Sequence, residues 1–171
     1  MKNLLCIVSM LIFLTSCSEK YRKIDKEDVT VSSKRVDSVS EPKARVKLRD
    51  GLLKKGYKFF DVIDEETKDT VIMQQYFIAF LKTGSTKLKD EEETKRLQRE
   101  HLDYLKSMYE LGYADISGPF GDVGEFMGMT IYSVPTLEMA DSLAKADPIV
   151  KIGHMDIEVH PWWAPKGSLL R

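Results

Sequence analysis

The chain predicts an α+β fold, on three observations. Its apolar runs follow the order strand, helix, strand, strand, helix, strand; each helical run begins at a residue able to cap it; and a loop rich in glycine separates the two middle strands.

Each element follows from its residues. Tyr57 to Ile63 alternates loosely, and the polar turn Asp64-Glu-Glu-Thr-Lys-Asp69 divides it from Thr70 to Lys82. β-Branched and aromatic side chains (Val71, Ile72, Tyr76, Phe77, Ile78, Phe80) crowd the second run, so it reads as a strand and the two segments as a hairpin. Asp90 can cap a helix whose first turn, Glu91-Glu-Glu93, suits the positive end of the helix dipole. Gly112 ends that helix, as a residue suited to the left-handed turn. Tyr113 to Ser117 and Phe126 to Ser133 are short strands joined by Gly118-Pro-Phe-Gly-Asp-Val-Gly124. Thr136 can cap a second helix, Leu137 to Ala146, which Pro148 helps to stop, and Met155 to His160 is the last strand. This is the split βαβ pattern of a ferredoxin-like fold, preceded by an extra strand or hairpin, with both helices on one face of the sheet.

The other face needs a cover. Tyr76, Ile78 and Phe80 point one way while Phe77, Ala79 and Leu81 point the other, so this strand is apolar on both sides. Met129 and Ile131 repeat the pattern opposite Gly128 and Thr130. Pairing with a second copy is the simplest way to bury the excess, and a sheet-to-sheet homodimer is expected.

The first residues address the compartment. Lys2 gives a short positive start, Leu4 to Leu14 is an apolar run too short to span a bilayer, and Leu14-Thr-Ser-Cys17 closes it. That tetrapeptide resembles a bacterial lipobox. The reading is a signal peptide over residues 1–16, lipidation of Cys17 and anchoring in the lipid bilayer; Ser18 in place of an aspartate points to the outer membrane of the cell envelope. From Ser18 the charged, weakly apolar sequence reads as a disordered tether, so that 17–55 is lipidated cysteine plus flexible linker and 56–171 the folded domain. A helix around Arg45 to Lys55 has little support.

Composition narrows the chemistry. Lys and Arg total 26 against 27 Asp and Glu, a formal charge of −1, with no basic stripe interleaved with aromatics, so nucleic acid is not an expected partner. There are two cysteines, Cys6 and Cys17. The first leaves with the signal and the second carries lipid, which excludes disulfides, a cysteine nucleophile and thiolate metal sites from the domain. No cofactor is expected.

Two places carry ionisable groups in pattern. His154, Asp156, Glu158 and His160 alternate along the last strand and share a face, but neighbours in that row stand about 7 Å apart, too far for more than two to reach one ion, so no metal site is expected. On the first helix Leu97, His101, Tyr104, Leu105, Met108 and Leu111 form one stripe, with His101 near its middle. A histidine there is either a core residue satisfied by one hydrogen bond or a working acid or base. Trp162 and Trp163, after the final strand, read as a cap on the core or the dimer seam.

An ordered set of motifs resembles the YciI-like, or YCII-related, family: Arg99-Glu-His101-Leu-Asp-Tyr104-Leu105, Glu110-Leu-Gly112, Ser117-Gly118-Pro119-Phe120, the strand Met127-Gly-Met-Thr-Ile-Tyr132, the capped helix with Ala140, and Ala146-Asp147-Pro148. The tail His160-Pro-Trp-Trp163 with Lys166-Gly-Ser168 resembles exported members in Bacteroidetes-type bacteria, which agrees with the lipobox. The resemblance implies a dimeric α+β barrel and a His101–Asp147 pair in a pocket. A carboxylate beside an imidazole fixes its tautomer and makes it a candidate general acid or base. Ser117, Gly118 and Pro119 are implied as ligand-binding residues, Ser117 through its hydroxyl, although Gly118 and Pro119 also fit a turn, as Asp147 before Pro148 does. Two functions are expected on this basis: acid–base chemistry of the lyase or isomerase kind on a small cyclic or aromatic molecule, or a non-catalytic ligand-binding or oligomeric module.

Overall fold

The computed structural model describes residues 42–168. The expected signal peptide, Cys17 and the first part of the expected tether lie outside them.

The described part of the expected tether is ordered into a helix, contrary to the sequence reading. Helix α1 (Pro42–Lys54) buries Leu52. Its Arg45 donates to the carbonyl of Thr70 at 3.4 Å, and Arg49 pairs with Asp61 at 2.5 Å. Proline suits the first position of a helix, where its missing N–H is not needed. The helix lacks a broad apolar stripe, which is why its periodicity does not stand out in the sequence.

The next elements fall where the sequence places them. Strand β1 (Phe59–Ile63) and β2 (Thr70–Thr83) form the hairpin, in register Phe59 opposite Gln74 to Ile63 opposite Thr70. Asp64 holds the turn by accepting from the N–H groups of Glu66 and Thr67 and from the Thr67 hydroxyl; these hydrogen bonds set its carboxyl below the ordinary carboxylate range. Helix α2 (Glu91–Glu110) starts at Asp90, whose side chain accepts from the N–H groups of Glu92 and Glu93, and is followed by Gly112 at φ +74°. Leu111 caps its end and is exposed, so it is not part of the buried stripe.

Strands β3 (Ala114–Pro119) and β4 (Phe126–Tyr132) pair antiparallel. Helix α3 (Leu137–Lys145) follows, its Thr136 accepting from the N–H of Met139 at 3.2 Å. Pro148 does more than stop it. It opens a further short helix, α4 (Pro148–Lys151), capped by Asp147.

Strand β5 (Met155–Pro165) is longer than the sequence suggests, running through two prolines to include both tryptophans. An edge strand tolerates proline because one row of its N–H groups has no ladder partner. Trp162 and Trp163 are therefore sheet residues, each on its own face: Trp162 lies 6.1 Å from Tyr76 and Trp163 4.9 Å from Phe60, ring centre to ring centre.

Strand β2 organises the sheet. One of its edges takes β1 along Thr70 to Gln74 and β4 along Phe77 to Lys82, while the other takes β5 from Met73 to Thr83. With β3 beyond β4, the spatial order β5, β2, β4, β3 is that of a ferredoxin-like α+β sheet, and β1 extends one end of it. Phe77, Ala79 and Tyr132 pack against Met108 of α2 and Ala140 and Ala144 of α3 to make the core. Shortening Phe77 to alanine there removes about 3–5 kcal/mol. On the opposite face Ile78 and Phe80 pair in register with Ile131 and Met129, with no helix of the α2 and α3 layer above them.

Candidate functional site

His101 projects from the sheet-facing side of α2, between the buried Leu97 and Met108. Asp147 arrives from the turn that joins α3 to α4. Their side chains meet: His101 Nδ1 lies 2.7 Å from Asp147 Oδ2. The other carboxylate oxygen, Oδ1, accepts from the N–H of Ile149 at 3.1 Å. A helix cap thus fixes the carboxylate, and the carboxylate fixes the ring. With Nδ1 donating to Asp147, the lone pair of the neutral ring is on Nε2, for which no hydrogen-bond partner stands among the described residues.

The pair is well shielded, with side-chain exposures of 11% for His101 and 5% for Asp147. Two phenols frame it. Tyr104, one turn along α2, donates to the carbonyl of Leu143 at 2.6 Å and so ties α2 to α3. Tyr132 of β4 lies beneath, in the core. Burial pushes both phenols above their ordinary value and the negative charge of Asp147 adds to it, so both remain neutral through physiological pH. Tyr104 was visible on the sequence stripe; Tyr132 carried no signal as a neighbour of Asp147, because the two stand on different elements, a strand and a helix turn.

Ser117, Gly118 and Pro119 form the end of β3. Ser117 Oγ accepts from Thr130 Oγ1 at 3.0 Å, its partner across the ladder. Successive residues of a strand face opposite ways, so Ser117 shares the helix-covered face with Thr130 while Gly118 faces the other. Among the described residues, no hydrogen bond joins these three to His101 or Asp147. A Cβ on Gly118 would meet open space, whereas one on Gly128 would stand 2.8 Å from the Gly118 carbonyl.

The polar row of β5 does not act as one group. His160 Nε2 lies 2.6 Å from Glu158 Oε1, and Lys82 Nζ lies 2.7 Å from Glu158 Oε2. The hydrogen bond from Lys82 lowers the Glu158 carboxyl and raises the Lys82 ammonium. His154 stands apart, its Nδ1 reaching the Thr86 carbonyl at 2.9 Å. Among the described residues no three His, Asp or Glu side chains gather as a metal site, and no helix is long and apolar enough to cross a membrane. A cleft of about 250 Å³ lies between α1 and the first hairpin, lined by Arg45, Val46, Arg49, Asp61 and Ile72 among others. None of the expected site residues lines it.

Comparison with curated proteins finds no match. Two solved structures resemble this one at 18% identity: a 5-chloro-2-hydroxyhydroquinone dehydrochlorinase from Burkholderia phenoliruptrix AC1100 in complex with 2,5-dihydroxybenzoquinone, and a muconolactone isomerase. The first covers 51% of this chain and 92% of its own at a TM-score of 0.40. The second covers 56% and 96% at 0.42. The family model of the YCII-related domain matches residues 76–163, from the middle of β2 to the tryptophans of β5 and so across both His101 and Asp147, and the chain belongs to that family.

Proposed function

We propose that this YCII-related protein binds a small cyclic or aromatic molecule and moves a proton on it with His101, in a lyase- or isomerase-like step. The observation that carries this reading is the 2.7 Å contact between His101 Nδ1 and Asp147 Oδ2, with Asp147 itself held by the Ile149 N–H. In that arrangement Nε2 accepts a proton from the bound molecule, Asp147 stabilises the imidazolium that forms, and Nε2 returns the proton to a second atom or to the leaving group. Ser117, Gly118 and Pro119 are assigned to ligand contact. The protein works as a homodimer closed over the uncovered sheet face that carries Ile78, Phe80, Met129 and Ile131. Lipid on Cys17 anchors it in the cell envelope, at the outer membrane.

One observation favours a second reading. Both members of the pair are buried, and their contact ties α2 to the start of α4, which is what a structural cross-link in a non-catalytic binding module does.

A thermal-shift screen of phenols, quinones, lactones and aromatic acids, on the native chain and on His101→Gln, separates the two. Ligands that stabilise the native chain and lose their effect in the variant, followed by turnover of one of them, support the acid–base reading. Ligands that bind both proteins alike support the module, and overturn the role given to His101.

A further inference from the structure

Helix α1 precedes the stretch that matches the family model, and its outward side has a distinct character. Val46 and Leu53 are exposed, at 59% and 63%, although both are large and apolar, and Val46 also lines the cleft beside the first hairpin. Seven residues apart on a helix, they fall on one line. Lys43, Lys47 and Lys54 form a second line beside them, on the side of α1 away from Leu52. Arg45 and Arg49 flank the apolar line on its other side, where they bind Thr70 and Asp61. The helix contains one acid, Asp50, against five Lys and Arg. An apolar line bordered by lysines whose long stems can lift their charges away from it is the pattern of a helix lying in a membrane interface.

We infer that α1 is a membrane-contact helix, whose Val46–Leu53 line enters the headgroup layer while Lys43, Lys47 and Lys54 bind anionic phospholipid. The occupant follows from charge and apolarity together: lysines alone would suit any polyanion, but an exposed valine and leucine between cations suit a surface with both anionic headgroups and acyl chains. Position agrees. If Cys17 is lipidated, as proposed above, the intervening segment 18–41 spans at most about 80 Å, so the helix stays within reach of the bilayer and a weak contact is strengthened by tethering. The contact would hold the domain in one orientation on the membrane.

The test is made independent of the anchor by using the mature chain, residues 17–171, with Cys17→Ser so that no acyl group contributes. Its co-sedimentation is measured with vesicles of phosphatidylethanolamine and phosphatidylglycerol and with vesicles of phosphatidylcholine. Binding to the anionic vesicles, lowered by about tenfold or more in Lys43→Gln/Lys47→Gln/Lys54→Gln and weakened by added salt, is the expected result. Val46→Ser/Leu53→Ser lowers it as well. All five positions are exposed or at the helix surface, and circular dichroism confirms that the variants fold. Absence of binding to anionic vesicles, equal binding to both vesicle types, or binding unchanged in the lysine variant overturns the inference. The anchor is judged separately, by whether the native chain leaves the membrane fraction on Cys17→Ser.

Discussion

His101 on α2 and Asp147 at the start of α4 are 46 positions apart in sequence and 2.7 Å apart in space. Asp147 performs two tasks with its two oxygens, capping a helix with one and holding the imidazole with the other. Substitutions can separate these tasks. Asparagine caps as well as aspartate but brings no charge to the ring. Asp147→Asn is therefore expected to cost about 1 kcal/mol, and Asp147→Ala about 2–4 kcal/mol, because alanine removes the cap and leaves the buried imidazole without its partner. Chemical denaturation of the two variants checks the order; equal losses would show that the charge, and not the cap, dominates.

Glycines test where backbone must approach backbone. A Cβ at Gly84 would run into the backbone of Gly153 and His154, and one at Gly128 into that of Gly118 and Pro119, while Gly118 has open space. Gly84→Ala and Gly128→Ala should each destabilise by about 2–4 kcal/mol, and Gly118→Ala by less than about 1 kcal/mol. Melting temperatures settle this. Gly118→Ala also serves as a folded probe: loss of a ligand in that variant would assign β3 to the site.

Tyrosines set the alkaline limit. Burial raises Tyr132, Tyr76 and Tyr104 above the ordinary value of 10.0. A group whose folded value is raised contributes stability that is complete below the unfolded value and lost as pH climbs towards the folded one. The melting temperature should therefore be insensitive to these groups below about pH 10 and fall above it, with phenolate absorbance rising together with unfolding. Full ionisation of the tyrosines in a still-folded protein would contradict the burial described.

Gln74 presents the opposite situation. It is fully buried in β2, its Nε2 donates to Ser133 Oγ at 3.3 Å, and its Oε1 has no partner among the described residues. Gln74→Met exchanges one weak hydrogen bond and one unmet acceptor for an apolar chain of similar size, so stability should change by less than about 1 kcal/mol in either direction. A loss of several kcal/mol, read by denaturation, would mean that Oε1 has a partner, such as a bound water.

How much of this was legible beforehand depended on whether the signal was local. Asp90, Thr136 and Gly112 act on residues two to four positions away, and each marks its helix end as expected. The faces of β2 followed from alternation alone. Helix α1 was missed because its burial rests on Leu52 and on arginines that find partners in a hairpin further along the chain. The end of β5 was missed because Pro161 and Pro165 read as breakers; only the knowledge that β5 lies at an edge makes them acceptable there. At the site, the helical stripe predicted a buried His101, but nothing in α2 identifies Asp147 as its partner. That pairing came from the family resemblance, and the distance in the fold agrees with it. Ser117 and Gly118 were grouped as one motif, yet alternation along β3 places them on opposite faces.

The central claim is that Asp147 holds His101 so that Nε2 meets a bound molecule. Nitrogen-15 NMR of the imidazole ring, recorded with and without a ligand from the thermal-shift screen, tests it most directly. The expected result is a ring protonated at Nδ1 towards Asp147 in the free protein, with that preference lost in Asp147→Asn, and a ligand-induced shift concentrated on Nε2. A ring protonated at Nε2, or a saturating ligand that leaves both His101 nitrogens unmoved, would contradict it.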